Sequence, residues 1–535
     1  MKNFIFNWII LISISSFSQI NTIGLRSYNE NVSNGYTLFT PEQNQNVYLI
    51  DNCGQLVHQW TFDEQPALTC YLLENGNLLR AGRNSVEIRD WDNTIIWSFN
   101  LENNGIDSQH HDIEPLPNGN VLCILIDHYT DAEMVALGKI PSPNGSIFKL
   151  DKVIEIEPSG INGGTIVWEW KFIDHLIQDN DFTKPNFGVV ENHPELIDLN
   201  YIHTTTLDND YTHVNSIDYN AELDQILLSS RTLNEIYVVD HSTSTLEASG
   251  HIGGNSNKGG DILWRWGNPK AYKQGTSVDQ KLFSQHDAKW VEPGYTDDGK
   301  ITVFNNGGFD TLNSSTIHLI TPEIINGDYS MSNNIFNPQG YDWSWNGSVL
   351  GEIVNESKKS GVHSLPNGNL LFCRTSRGQF TEITKTGENL WTYANPAGLN
   401  GTIVDQFDVI SNNVNSIFRA EKYPIDYLGF EGKDLTPQGI LENENSISIM
   451  CENTLSTNSL DFNTLKIINP VENNVILFSE HVAFKNVSII DIHGKTILSV
   501  KNFDGNQLPI NLSPSIYFIK LQNQNIDLTK KIIVK

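Results

Sequence analysis

The sequence predicts an all-β chain, a six-bladed β-propeller followed by a small C-terminal β-sandwich. Three observations predict it. A Trp-x-aromatic triplet recurs six times, starting at Trp60, Trp97, Trp168, Trp264, Trp343 and Trp391. Most copies close a turn and a β-type run, as in "DNTIIW", "GGTIVW" and "GGDILW". Asn-Gly turns set between apolar runs, "ENGNLL", "PNGNVL" and "PNGNLL", read as hairpins in which both turn residues accept positive φ. No long segment shows sustained helical periodicity.

The triplets are spaced by 37, 71, 96, 79 and 48 residues. The short intervals match one four-stranded blade of roughly 40 to 50 residues, and the long ones leave room for inserted loops. Six triplets thus count six blades, over residues 19–437. Ahead of them, "MKNFIFNWIILISISSFSQ" carries Lys2, an apolar run from Phe4 to Ile14 and small residues near Ser18. The run is too short to span a bilayer and reads as a signal peptide over 1–18. No later segment is apolar enough for a membrane span, so the chain is expected to be exported. Residues 438–462 form a polar linker rich in Asn and Ser. Short alternating strands follow over 463–535, among them "VSIIDIHGKTILSV", "SIYFIKLQ" and "KKIIVK", and predict the sandwich.

The chain carries 63 acidic against 34 basic residues, a net charge of −29. That excludes nucleic acid as a partner, because no basic stripe offers phosphate contacts. A pocket for an anion would need its own local positive charge. Five cysteines without a CxxC pair suit neither a disulfide framework nor a cysteine zinc site. Cys53 and Cys70 could pair in an oxidising compartment, whereas Cys123 and Cys373 sit in matching strand contexts as small buried residues.

Histidines fall in register with the repeats. They open the strand after the triplet: His110 and His111 in "HHDIEPLPNGNVL", His213 in "HVNSIDYNAELDQILL", His286 in "HDAKWVEPGYTDDGKITVF" and His363 in "HSLPNGNLL". The first strand of a propeller blade lines the central channel, so these imidazoles should converge. One histidine at a strand end is usually structural; four in one register are harder to explain that way. Metal binding also gathers histidines. Against it, Asp112 and Asp287 each follow a histidine directly and, on a regular strand, would face the other side. Arg231, at the end of the next strand, repels a cation and can grip an oxyanion in bidentate fashion. Histidines with an arginine at a channel mouth point to transfer of an anionic group, with one imidazole as nucleophile.

The blocks "HDIEPLPNGN", "HVNSIDYN…LLSSR" and "QHDAKW…ITVFNNGG", in that order, resemble the bacterial arylsulfate sulfotransferases over about Gly35 to Pro437. The resemblance implies a six-bladed propeller that moves a sulfuryl group from a phenolic sulfate ester to a phenol acceptor. It implies ping-pong transfer through a sulfohistidine, with no nucleotide sulfate donor, no cofactor and no metal. By position, His286 is the nucleophile, and His213, Asn215 and Arg231 hold the sulfuryl oxygens and assist proton movement. His111 matches the histidine of the preceding block, with His110 as the neighbouring alternative. His363 enters as a substrate contact, and Trp290, four residues past His286, as an aryl contact or a core residue. The tail "INP…IIDIHGK…INLSPSIYFIKL…KKIIVK" resembles the C-terminal sorting domain of the type IX secretion machinery, which implies passage through the periplasm to the cell surface or beyond. Two other readings remain open at this level: a non-catalytic propeller that binds a ligand or partner, and a quinone-dependent dehydrogenase, which six triplets disfavour because that class has eight blades.

Overall fold

The computed structural model describes residues 21–106, 109–141, 148–201, 210–307, 314–408, 413–458, 467, 470–471, 474–523 and 526–535; the stretch 1–18, expected as a signal peptide, lies outside them. The chain divides into two compact units, Met1–Ile449 and Met450–Lys535.

The first unit holds six antiparallel sheets of four strands each, one with a fifth strand added. Their innermost strands are Ile417–Pro424 in blade 1, Pro66–Leu72 in blade 2, Gln109–Pro115 in blade 3, Val214–Asn220 in blade 4, His286–Trp290 in blade 5 and Gly361–Ser364 in blade 6. Each touches the next, and blade 6 touches blade 1, so the six inner strands close a ring. The ring is latched at both chain ends. Ile417–Pro424, from beyond the sixth triplet, supplies the inner strand of blade 1, and Gly24–Tyr28 adds an outer fifth strand to blade 6. Radial repetition of this kind leaves only short, protected sheet edges.

The repeated tryptophan explains why the repeat exists. All six lie on the fourth strand of a blade, counted from the axis, and each indole N–H donates to the blade that follows: Trp60 to Asp90 O at 3.0 Å, Trp97 to Gly163 O at 2.7 Å, Trp168 to Thr243 Oγ1 at 3.1 Å, Trp264 to Asn337 O at 2.8 Å, Trp343 to Lys385 O at 3.0 Å, and Trp391 to Asn52 O at 2.8 Å. The last bond runs from blade 6 back to blade 1. A large apolar ring with one polar edge suits this place, packing into the core while its N–H stitches a seam.

The Asn-Gly turns differ from the expected type in one respect. At Gly76, Gly119 and Gly368 only the glycine has positive φ, 79°, 88° and 85°. The asparagine stays at negative φ and turns its Oδ1 to the N–H two residues on, at 2.9–3.0 Å. This is the three-residue hairpin with a left-handed glycine closing it.

Cys53 and Cys70 do not pair. Cys70 is a free, buried thiol, as are Cys123 and Cys373, and Cys53 is disulfide-bonded elsewhere. The polar stretch expected as linker contains a helix, Ser446–Asn458. Asn445 caps it, its Oδ1 accepting from the N–H groups of Ile447 and Ser448. The sequence over this stretch carries no amphipathic period, so it gives no helical signal. In the second unit the expected sandwich takes the form of one curled sheet of four antiparallel strands around a core that includes Val487, Ile489, Ile519 and Ile532. Among the described residues, no helix is long and apolar enough to cross a membrane.

Candidate active site at the axis

The inner strands of blades 3, 4 and 5 do not begin as regular strands. Their pairing with the second strand shifts register between Cys123 and Leu125, between Val214 and Ser216, and between His286 and Lys289. Beside these irregularities His111, His213 and Asp287 adopt left-handed backbone, with φ of 63°, 44° and 57°. Such conformations cost on the order of 1 kcal/mol or more each, persist where the surroundings fix them, and re-aim side chains. Here they bring His111 and the residue after it to the same channel. The expectation that Asp112 and Asp287 face away is therefore wrong. Both ion-pair with one guanidinium, Arg419, at 2.6 and 2.8 Å.

His111 and His213 meet through their Nε2 atoms at 3.2 Å. His213 Nδ1 lies 2.5 Å from Asp210 Oδ2, and its ring is partly open. His111 is stacked on Phe418, centroids 5.4 Å apart and planes at 6°. Burial, then the neighbouring imidazoles His110, His213 and His286, hold the His111 pKa well below its usual value. His111 Nδ1 is buried and has no partner among the described residues. His110 turns its Nδ1 to Asp151 at 2.9 Å and packs beside His111.

His286 is buried and held in one tautomer. Its Nδ1 lies 2.8 Å from Asn306 Oδ1 and 3.0 Å from Ser284 O. Asn306 has no freedom to flip, because its amide N–H groups donate to the carbonyls of Glu356 and Lys359 at 2.9 and 2.8 Å. Nδ1 therefore carries the proton and Nε2 the lone pair, and that lone pair faces the backbone N–H of Lys359 at 3.1 Å. Lys359 and Ser360 reach this position in left-handed backbone, φ 58° and 74°. Burial depresses the His286 pKa well below its ordinary value, and Arg231, His213 and Arg419 add to this. The imidazole is neutral at pH 7. Phe418 also meets the edge of His286, centroids 6.3 Å apart, so one phenyl ring contacts both histidines.

Two arginines serve differently. Arg231 N–H donates to His213 O at 3.1 Å, but its guanidinium makes no hydrogen bond or ion pair with a described residue. It is the local positive charge that an anion would need in so acidic a chain. Arg419 is committed instead. It reaches from blade 1 to Asp112, Asp287 and the carbonyl of Asn215, 2.9 Å away, joining the inner strands of blades 3, 4 and 5. Asp112 also accepts from Tyr71 at 2.8 Å and from two backbone N–H groups. Burial would raise its pKa, but the charges of Arg419 and Lys289 and the bonds from Arg419 and Tyr71 outweigh it and lower the pKa. Asp287 has fewer partners, and burial dominates there, raising it to about 6 despite Arg419.

Asn215 is fully buried; its Nδ2 donates to Gln285 O at 2.8 Å, and its Oδ1 has no partner among the described residues. His363 is not brought to the other imidazoles. It stands lower on the axis with Glu421 at 3.6 Å and the N–H of Lys422 at 3.4 Å, its pKa pushed down to about 4 by burial. Trp290 lies at the other end of the inner strands, where it lines a cavity of about 700 Å³ together with Glu114, Asp218, Glu292 and Tyr427. Phe418, Arg419, Asn306 and Lys359 were not among the expected residues. Asn306 lies in the block "ITVFNNGG" that drew attention to His286, so its signal was at hand.

Nitrogens of His110, His111 and His213 lie within 4.8 Å of one another and are close enough to share a cation. The same convergence suits an oxyanion when the imidazoles carry protons, and Arg231, whose guanidinium pairs with no described residue, favours the anion.

Residues 21–335 match the family model described as arylsulfotransferase (ASST). The chain belongs to the arylsulfotransferase family. A second model, the secretion system C-terminal sorting domain, matches residues 469–535, a tail that directs type IX secretion to the cell surface or outside. No curated protein matches the chain. Solved structures similar to it include a protein of unknown function from Bacteroides caccae, 12% identical with a TM-score of 0.38, covering 70% of this chain and 98% of that one. A catalytically inactive virginiamycin B lyase from Staphylococcus aureus with quinupristin is 11% identical with a TM-score of 0.32, covering 75% and 88%. The arylsulfotransferase match spans His111, His213, Asn215, Arg231 and His286 and ends before His363.

Proposed function

We propose that this arylsulfotransferase moves a sulfuryl group from a phenolic sulfate ester to a phenol, by ping-pong transfer through a sulfohistidine on His286. The observation that carries the reading is the locked tautomer of His286, a neutral imidazole whose Nε2 lone pair faces the Lys359 N–H, with the charge of Arg231 near enough to help hold it neutral.

In the first half-reaction His286 Nε2 attacks sulfur, the N–S bond forms and the S–O bond to the aryl oxygen breaks. The leaving phenolate takes a proton from the acid form of the His111–His213 pair, in which Asp210 balances a protonated His213. The charge on the three sulfuryl oxygens meets Arg231 and the Lys359 N–H, which moves from Nε2 to an oxygen as the N–S bond forms. The logic parallels phosphoryl transfer, where positioning and electrostatics dominate. In the second half-reaction the acceptor phenol returns a proton to the pair, its oxygen attacks sulfur, and the N–S electron pair goes back to Nε2. Phe418, fully buried, packs against both histidines and fixes the placing of their rings.

Incubation with p-nitrophenyl sulfate, with and without phenol, tests this directly. Release of p-nitrophenolate that rises with phenol concentration, with phenyl sulfate as second product, is expected. Release independent of phenol would make water the acceptor and the protein a sulfatase; no release from a folded protein across several aryl sulfates would leave a binding propeller.

A further inference from the structure

We propose a divalent metal site at His175, His251 and Asp261, separate from the axis, that takes a late first-row cation such as zinc and clasps blade 3 to blade 4. His175 ends the short helix Phe172–His175 that follows the outer strand of blade 3. His251 and Asp261 belong to the insert between the third and fourth strands of blade 4. The three donor atoms lie within 4.8 Å of one another. His175 Nδ1 is 3.0 Å and His251 Nδ1 is 2.7 Å from the same oxygen, Asp261 Oδ1.

The hydrogen-bond chemistry of His175 decides the reading. Its Nε2 lies 2.9 Å from the carbonyl of Ala248, which can only accept, so Nε2 carries a proton. A neutral His175 therefore turns a bare Nδ1 lone pair toward a carboxylate oxygen, and two lone pairs repel unless a cation lies between them. The remaining choice is a fully buried imidazolium. Its ring is stacked at 9° on Trp170, 5.4 Å away, and is fully shielded from solvent. An imidazole that donates one N–H to a backbone carbonyl and presents the other nitrogen to a carboxylate ligand has the outer-sphere support of a metal-binding histidine.

Two imidazoles and one carboxylate suit zinc, with metal–ligand bonds of about 2.0–2.2 Å and a water in the fourth position. His251 is the exposed member and gives access. The insert is already shaped to bring it there: Gly260 N–H donates to Gly250 O at 3.0 Å, closing the loop, and Trp170 Nε1–H holds Gly260 O at 2.7 Å.

The full chain, stripped with a chelator, is titrated with Co²⁺ while the visible d–d bands are followed, then challenged with Zn²⁺, beside the variants His251→Ala and His111→Ala. The parent and His111→Ala should show tetrahedral Co²⁺ bands displaced by one equivalent of zinc, and zinc should raise Tm. His251→Ala should bind at least about 100-fold more weakly, more than the loss of an outer-sphere partner costs, and should lose the zinc-dependent rise in Tm while keeping aryl sulfate turnover. Because His251 is exposed, this variant should fold. Metal binding and zinc response equal in the parent and His251→Ala, zero binding in both included, would overturn the proposal.

Discussion

His111 and His213 face each other nitrogen to nitrogen, Nε2 to Nε2 at 3.2 Å, so one proton must lie between them. With Asp210 against the far nitrogen of His213, the three form a line along which a proton can be stored near the leaving group. Removing the charge of Asp210 should weaken the acid rather than the nucleophile. Asp210→Asn is expected to lower kcat for phenyl sulfate on the order of 100-fold, within the range for general acid catalysis. The loss should be several-fold smaller for p-nitrophenyl sulfate, whose phenolate needs less help. Equal losses on both substrates would remove the proton-delivery role.

Asn306 holds the tautomer of His286 from the Nδ1 side, away from the nitrogen that attacks. Asn306→Ala should leave KM nearly unchanged and reduce kcat by roughly 100-fold or more, as tautomer control does in other imidazole catalysts. Two carbonyls lose a partner as well, so the variant should be less stable by about 1–3 kcal/mol. Thermal denaturation beside steady-state kinetics separates the two effects.

The arginines make opposite predictions. Arg231 pairs with no described residue, so Arg231→Ala should cut kcat/KM by about 100-fold or more and change Tm little. Arg419 is buried between Asp112 and Asp287, and Arg419→Ala leaves both carboxylates unpaired. That should destabilise the propeller by about 3–5 kcal/mol, readable as a large loss in denaturant midpoint.

The pH profile follows from the buried nucleophile. Burial lowers the His286 pKa, so its lone pair survives to lower pH than that of a free imidazole at about 6.5. The acid limb of kcat/KM for p-nitrophenyl sulfate should therefore lie below 6.5. A limb at or above that value would mean that His286 is not the group being protonated.

Much of this was legible in the sequence for physical reasons. The tryptophans could be counted because each has the same task, carrying an N–H bond to the next blade. His111, His213 and His286 can be aligned because each lies at or beside the start of an inner strand. Other parts could not be read. Phe418 and Arg419 lie on a strand that follows the sixth triplet yet completes the first blade, so no repeat-by-repeat reading puts them on the axis. Lys359 acts through its backbone N–H, for which residue type carries no signal. Asp112 and Asp287 depart from strand alternation because left-handed residues, His111 and Asp287 itself, break it. The metal proposal was equally out of reach, since His175 and Asp261 are 86 residues apart and no cysteine pair marks the place.

The most direct measurement is mass spectrometry of the protein after brief exposure to p-nitrophenyl sulfate without an acceptor, under alkaline conditions that preserve N-linked sulfuryl groups. If His286 is the nucleophile, one sulfuryl group should appear on the peptide containing "SQHDAKW", vanish on addition of phenol, and be absent in His286→Ala. A sulfuryl group on His111 or His213, or turnover with no labelled histidine at all, would contradict it.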